Sequence, residues 1–519
     1  MHRLRVGLVV ALTSAGLAVL APLAPAGADD RDPTPVSPPV SHSVSAIVAD
    51  ARAALTGRSG LDGGSGREAS LTLAGLRLAY PGLSSADRAV ADVLLARPTD
   101  GAADPEQFGY SVPEATPLCG TTFCVHYVPT TADAPSPADL DVDGVPDWVE
   151  STLVELESVL AFESGALGYR APPTDGARGG SALFDVYLSD VGAQGLYGFC
   201  APEAKLPGER FAYSGYCVLD NDFAEFPLGP EASRAVTAAH EFFHAIQFGY
   251  DATEDRWLLE ATATWMEERY ADDVDDNRQY LRYGQLGRPS TPLDYFDSVG
   301  SAQYGNWLFF ELVSQRFGDD AIRRIWDLVD SVGDAPDKYS TEAVRKVLAS
   351  RGPGFARFYA RFATANQAPR RFYSEGAAYR SIKAVRVVRL APTRRRVSAT
   401  KRLDHLTSAA YRFTPSRALG RPWRLRLAVD AQSTSAGSAA TALIRRRRGG
   451  LTVRTIKLGR DGNRTVTLAF SHRKVASVTL VLANASTRYK PCWAGTTYAC
   501  QGNPRDDDDD YTFVATITR

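Results

Sequence analysis

Three rhythms of apolar and polar residues follow one another along the chain. From Ser43 to about Pro98 the spacing is that of helices rich in Ala and Leu. A Gly/Ser stretch near Gly57–Gly66 interrupts it as a flexible link, and the segment Ser84 to Arg97 opens on a Ser cap and stops before Pro98. From about Leu118 to Gln367 strands and helices mix. Phe123–Tyr127, Ala182–Leu188 and Gly215–Leu219 predict strands. After Pro230 helices dominate, over Glu231–Tyr250, Trp257–Tyr270, Gln303–Phe317, Ala321–Val332, Thr341–Ser350 and Phe355–Thr364. From about Ile382 the pattern changes to short β-rich runs, Trp423–Val429, Leu451–Leu458, Arg464–Phe470 and Ser477–Leu482, which predict an all-β sandwich. No repeat of fixed period underlies these rhythms.

The N-terminus reads as a targeting segment rather than as part of the fold. Arg3 and Arg5 precede an apolar run from Val6 to Leu20, and Ala26-Gly27-Ala28 fits a cleavage site before Asp29. Residues 1–28 are thus expected to be a signal peptide, and 29–42 a polar, Pro-rich linker. The expected location is outside the cell, with no membrane span. Six cysteines agree with export, and local pairing gives Cys119 with Cys124, Cys200 with Cys217, and Cys492 with Cys500. A chain of 519 residues suggests two to four domains. Its formal net charge of -2 gives no sign, in total, of a nucleic-acid or anionic-membrane partner.

The chemistry concentrates in His240-Glu241-Phe242-Phe243-His244. On a helix, residues four apart share a face, so both imidazoles can reach one zinc. Glu241 stands beside them, where a carboxylate can take a proton from a water that the metal acidifies. Phe242, Phe243, Ala245, Ile246 and Phe248 make this a core helix, and core histidines need partners. A third ligand is required. Tyr250 stands where the metzincin pattern has a histidine, so the candidates are carboxylates: Asp251, Glu260 and Glu267. In Trp257–Glu267 the residues Trp257, Ala261 and Trp265 share one helix face, and Glu260, Thr264 and Glu267 another. Glu260 is preferred, with Thr264 expected to hydrogen-bond a ligand histidine. Glu267 and Glu268 are expected at a solvated helix edge.

The two zinc helices resemble those of the gluzincin clan, which includes thermolysin and the aminopeptidase N family. A wider pattern is similar to a family of secreted bacterial metalloproteases: a Phe-Cys-x-His-Tyr strand at Phe123–Tyr127, an Asp/Gly/Pro loop at Asp139–Glu150, and the zinc helices. The resemblance spans about residues 118–370. It implies that Glu260 is the third ligand and that the protein is a zinc peptidase. The Gly-x-Met-Glu-Asn strand of aminopeptidases has no counterpart, since the strand before the zinc helix reads Gly215-Tyr216-Cys217-Val218-Leu219-Asp220. That favours an endopeptidase. Tyr304, at the head of Tyr304–Phe310, resembles the catalytic tyrosine of the aminopeptidase family, and an oxyanion needs such a donor.

A second ion is expected at Asp139–Glu150. Acids at Asp139, Asp141, Asp143, Asp147 and Glu150, Gly144 at position six and the Val145 main chain fit the twelve-residue calcium loop. That calcium would be structural. Asp506–Asp510 is expected to be a solvated turn and Arg445–Arg448 a hairpin tip. His126, His405 and His472 are expected to be surface or strand residues.

The expected fold class is therefore multidomain. A helical pro-segment covers 29–117, an α+β zincin-like metallopeptidase domain 118–375, and a β-sandwich 382–519. The pro-segment has no cysteine, so latency cannot rest on a thiolate. The expected partners are a protein or peptide substrate and, for the sandwich, a cell-surface or matrix ligand. Two other functions fit the same residues: a non-catalytic extracellular binding protein on a peptidase-like fold, and a zinc hydrolase of a non-peptide substrate.

Overall fold

The computed structural model describes residues 44–57, 69–100, 108–298 and 300–519. The expected signal peptide, the Pro-rich linker and most of the Gly/Ser link lie outside the described residues. The architecture is mixed helix and sheet, with two further β-sheets in the C-terminal part.

The first sheet has five strands: β1 (Leu118–Cys119), β2 (Phe123–His126), β3 (Phe184–Ser189), β4 (Gly198–Lys205) and β5 (Tyr213–Asp220). Their order is β1-β2-β3-β5-β4, with β2, β3 and β5 parallel and the edge strands β1 and β4 antiparallel to their neighbours. All four residues of β2 are buried, as a parallel strand covered on both faces requires. One cover is the helix α5 (Pro230–Asp251), whose Ala238, Phe242 and Ala245 share a core with Val125, Val186 and Leu219. The other is an N-terminal layer of α1 (Val44–Leu55), α2 (Ala69–Ala79) and α3 (Ser85–Leu94). Leu73, Leu76 and Leu94 of that layer pack with Tyr187, Phe199 and Tyr216 of the sheet. Ser84 caps α3 by accepting from the Asp87 amide, as its sequence predicts.

Beyond the sheet, α4 (Asp147–Leu160) precedes β3, and α6 (Arg256–Tyr270) follows α5. The helix predicted over Gln303–Phe317 is broken into α7 (Ala302–Gly305) and α8 (Trp307–Phe317). Two contacts explain the break. Asn306 turns its side chain outward from the axis, donating to the Leu293 carbonyl at 2.8 Å and accepting from the Gln285 amide at 2.9 Å. Gly305 also lies against Gly284 with no room for a Cβ on either. Then come α9 (Asp320–Val329), α10 (Thr341–Ser350) and α11 (Phe355–Ala365).

Two sheets complete the chain. One has the order β11-β10-β13-β8-β6, the other β12-β9-β14-β7. Their strands are β6 (Arg386–Leu390), β7 (Arg396–Leu403), β8 (Thr407–Pro415), β9 (Arg424–Asp430), β10 (Ser438–Arg446), β11 (Leu451–Ile456), β12 (Arg464–Ala469), β13 (Val475–Asn484) and β14 (Asp509–Thr518). Their facing sides share a core that includes Tyr411, Phe413, Leu425, Leu480 and Phe513. The first of these sheets also meets α11, where Ala363 packs with Ala410 and Val481. The hairpin turn between β10 and β11 holds Arg447 and Arg448.

Asp507, Asp508 and Asp510 of the acidic run are exposed, as expected, but its first residue is not. Asp506 is buried and pairs with Arg488 and the Ser486 hydroxyl, because a strand begins just beyond it. All three local cysteine pairs are bonded. Cys119–Cys124 closes the β1–β2 turn, Cys200–Cys217 joins β4 to β5 in register, and Cys492–Cys500 staples the loop before β14.

Candidate metal centre

The Pro at the start of α5 suits a first helical turn, and the helix then runs for 22 residues through the core. His240, Glu241 and His244 sit in its buried middle. α6 packs across it and presents Glu260. The structure brings His240, His244 and Glu260 together: Nε2 of the two histidines are 3.1 Å apart, and Oε2 of Glu260 lies 3.2 Å from His240 and 3.6 Å from His244.

This triangle fits a metal in size and in chemistry. Donors held about 2.0–2.1 Å from a tetrahedral zinc stand about 3.3 Å from one another. The far nitrogens of both rings are engaged. His244 Nδ1 faces Oε1 of Gln247 at 2.7 Å, while the Gln247 amide nitrogen donates to the Leu259 carbonyl and the Thr262 hydroxyl at 3.0 and 3.1 Å. With its nitrogen so occupied, Gln247 can only accept from His244, which leaves the Nε2 lone pair of His244 directed at the triangle. His240 Nδ1 is 2.6 Å from Oε1 of Glu267. Three acceptors at these distances repel unless a cation stands among them, whether a proton or a metal. Burial alone would lower the His240 pKa, but the bonds to Glu260 and Glu267 outweigh it and raise it to about 9. Oε1 of Glu260 has no hydrogen-bond partner among the described residues.

Two expectations about the surroundings are corrected. Thr264 donates to the Glu260 main-chain carbonyl at 2.9 Å, not to a histidine, because a threonine inside a helix finds the carbonyl one turn back first. Glu267 is buried rather than solvated, and it orients His240. It lies two turns from Glu260 on the same face, a signal legible in the sequence. Glu268 is buried too, bonded to Asn277, and burial raises its pKa to about 8. Asp251 closes the end of α5, accepts from Thr253, and lies outside the triangle.

Glu241 is buried beside the ligands, and burial raises its pKa against the pull of His240 and His244. Its Oε2 accepts from the hydroxyl of Ser70 at 2.7 Å, and Ser70 in turn accepts from the Cys200 amide of β4 at 2.8 Å. Nothing in the sequence marks Ser70. The same N-terminal layer is anchored by Arg97, almost fully buried, whose guanidinium meets Asp175, Asp185 at 2.5 Å and Glu203 at 2.8 Å. Burial would raise the Glu203 pKa, but Arg97 and Arg178 lower it on balance. Tyr304 is buried with its ring 6.1 Å from that of His240.

Of the three histidines expected on the surface or in strands, His126 does lie on a strand, and His405, in a turn, is buried instead. His126 on β2 bridges Glu114 and Asp185, at 2.9 and 3.0 Å. His405 bridges Asp294 and Asp507 at 3.0 and 2.6 Å, between the helical part and the sandwich. His472 is half-buried against the Leu419 carbonyl.

The acidic loop before α4 forms a second candidate site. Carboxylate oxygens of Asp139, Asp141 and Asp147 lie within 4.8 Å of one another, as do those of Asp141, Asp143 and Glu150. Asp139 accepts from the amides of Val142, Asp143 and Gly144, and Asp143 from that of Val145. Crowding by the loop, which strips water from this exposed carboxylate, and the charges of Asp143 and Asp139 raise the Asp141 pKa. Val142 and Gly144 take the left-handed conformation that folds the loop on itself. Two other groups, Asp220 with Asp222 and Glu225, and Glu268 with Asp272 and Glu375, have the spacing but no further sign of an ion.

No protein-family model matches the sequence, and no curated protein matches it. Among solved structures the chain is similar to the pre-peptidase C-terminal domain of a collagenase from Bacillus anthracis, at 10% identity over 27% of this chain and all of that one, with a TM-score of 0.15. It is also similar to a 4-O-methyl-alpha-glucuronidase with specificity for decorated arabinogalactans, at 8% identity over 55% of this chain and 41% of that one, with a TM-score of 0.14.

Proposed function

We propose that the chain is a secreted zinc-dependent peptidase, an endopeptidase rather than an aminopeptidase, on a zincin-like catalytic part. The triangle of His240, His244 and Glu260, with Glu241 at its side, is the observation that supports this reading. A zinc ion bound there supplies Lewis acidity toward a scissile carbonyl and acidifies a water. Glu241 takes the proton of the attacking water and passes it to the leaving amine. Glu267 and Gln247 hold the rings of His240 and His244 in the ligand tautomer. Tyr304 is the candidate donor to the oxyanion.

Residues 29–117 are read as a pro-segment that keeps this site shut, with α2 lying against the edge strand β4 and Ser70 on the base. Export rests on the signal-like residues 1–28 and on the three disulfides. No helix among the described residues is long and apolar enough to cross a membrane. The loop Asp139–Glu150 is assigned a structural calcium.

The test is metal content of the purified protein, freed of its pro-segment, together with cleavage of unfolded casein before and after a chelator. About one zinc per chain and chelator-sensitive cleavage are expected. Zinc without cleavage would move the assignment to a binding protein or to a hydrolase of another substrate, and absence of zinc would remove the ligand set.

A further inference from the structure

The total charge of -2 conceals a strong division. Residues 382–519 carry 27 arginines and lysines against 8 aspartates and no glutamate, a net +19, and residues 1–381 therefore carry a net -21. Of those 27 basic residues, 22 are arginine. Such segregation in one chain is an electrostatic footprint that the overall sum cancels.

The fold concentrates part of this charge on one face. The sheet β11-β10-β13-β8-β6 is covered on one side by α11 and on the other by its partner sheet. The outer side of β12-β9-β14-β7 has no such cover. Its register aligns Thr467, Arg426, Thr516 and Arg396 in one row across four strands, and Ala469, Arg424 and Thr518 in the next. From strand geometry, Arg424 and Arg426 stand about 7 Å apart and Arg426 and Arg396 about 10 Å. All three are exposed, and none makes an ion pair among the described residues. Arg395 and Arg519, at the same end, lie over the Trp423 ring at 5.5 and 5.6 Å. The acids of this face, Asp430 and Asp510, are at the other end. Between the two ends lies a shallow groove of about 390 Å³ floored by Ala428, Val514 and Thr512 and edged by Asn463, Arg464 and Asp430.

We propose that this face binds an acidic polysaccharide, a sugar polymer bearing carboxylate or sulfate groups. Guanidinium forks match those groups two bonds at a time, and their 7–10 Å array (about the rise of one or two sugar units) meets a repeating charge. Thr, Ser and Asn side chains along the rows and the groove supply hydroxyl and amide partners for sugar hydroxyls. The face has no exposed aromatic ring on which bases could stack, and no helix or ribbon raised to enter a duplex groove. It also lacks the apolar prow of a membrane-inserting surface. This assignment does not depend on the metal centre.

The experiment measures binding of the full chain to heparin, to polygalacturonate and to uncharged dextran, with duplex DNA and anionic lipid vesicles as competitors. Salt-sensitive binding to one or both acidic polysaccharides and none to dextran is expected, and the two acidic polymers tell sulfate from carboxylate. Replacing Arg396, Arg424 and Arg426 together by Ser should weaken it at least tenfold, while the triple replacement of Arg445, Arg446 and Arg447 by Ser changes it less than threefold. Should the first triple fail to fold, the single R426E is expected to weaken binding at least fivefold. Equal loss in both triples, no binding to either acidic polymer, or tighter binding to DNA or vesicles would overturn the proposal.

Discussion

The hydroxyl of Ser70 donates to Oε2 of Glu241 at 2.7 Å across 171 residues of chain. It reaches the carboxylate because α2 lies along β4, whose Cys200 amide donates to the Ser70 hydroxyl oxygen from behind. On the proposed reading of Glu241 as the base, this hydroxyl and the covering helix restrain it, with Oε1 as the oxygen that has no partner among the described residues. Protein lacking residues up to 117 should therefore cleave casein at least tenfold faster than the full chain, and Ser70→Ala in the full chain should give a smaller rise. Equal rates for the two forms in a matched assay would rule out the lock.

The two orienting contacts make a sharper test of the metal centre than the ligands themselves. Glu267→Ala frees His240 to turn, and zinc affinity should fall about 10- to 100-fold. Thr264→Ala removes only a bond to a helix carbonyl and should leave affinity within about threefold. A competition titration with a chromogenic chelator reads both, and the reverse order would contradict the contacts described. Glu241→Gln should retain zinc and lose at least a hundredfold in hydrolysis.

For the acidic loop, removal of calcium by a selective chelator should lower the melting temperature by about 5 °C or more at saturating ion. The double substitution D141N/D143N should abolish the difference between calcium-loaded and calcium-free samples. A melting curve indifferent to calcium in the parent protein would leave the loop as a turn with a helix behind it.

His405 gives the joint between the helical part and the sandwich a dependence on pH. Burial alone would lower its pKa, but Asp294 and Asp507 raise it from 6.5 to about 10. A raised histidine contributes stability that is complete below 6.5 and is lost as pH climbs through about 10. The margin of the parent over His405→Gln in melting temperature should shrink across that interval. A margin constant from pH 6 to pH 10 would show that the imidazolium does not hold the joint.

What the sequence disclosed follows from how local each signal is. The helices α5 and α6 and the triangle on them are legible because ligand spacing along one helix is a local property, and Thr341–Ser350 agrees to the residue. The strand Asp509–Thr518 was legible by the same local rule, since Tyr511, Phe513, Ala515 and Ile517 alternate with outward residues, whereas in Arg396–Leu403 the polar Lys401 stands at an inward position and breaks the period of two. The break at Asn306 depends on Gly284, far off in sequence. Ser70 and Arg97 are ordinary in their own helical surroundings, and only tertiary contact gives them a role. His126 lies on a strand, as one of the two expected placements had it, but its burial and that of His405 have a related cause. A buried histidine needs carboxylates brought from elsewhere, and periodicity does not foretell Asp185 or Asp294.

The burial of Arg97 among Asp175, Asp185 and Glu203 has a consequence for the proposed removal of the N-terminal segment. The guanidinium is the main counter-ion of that pocket. Withdrawing the N-terminal layer leaves the carboxylates together without that charge, and Glu203, still paired with Arg178 but no longer held down by Arg97, climbs in pKa. Departure of the segment therefore takes up protons. On the proposed pro-segment reading, the linkage of proton binding to release makes acidification loosen a severed segment and neutrality keep it seated, a second, reversible threshold after the cut.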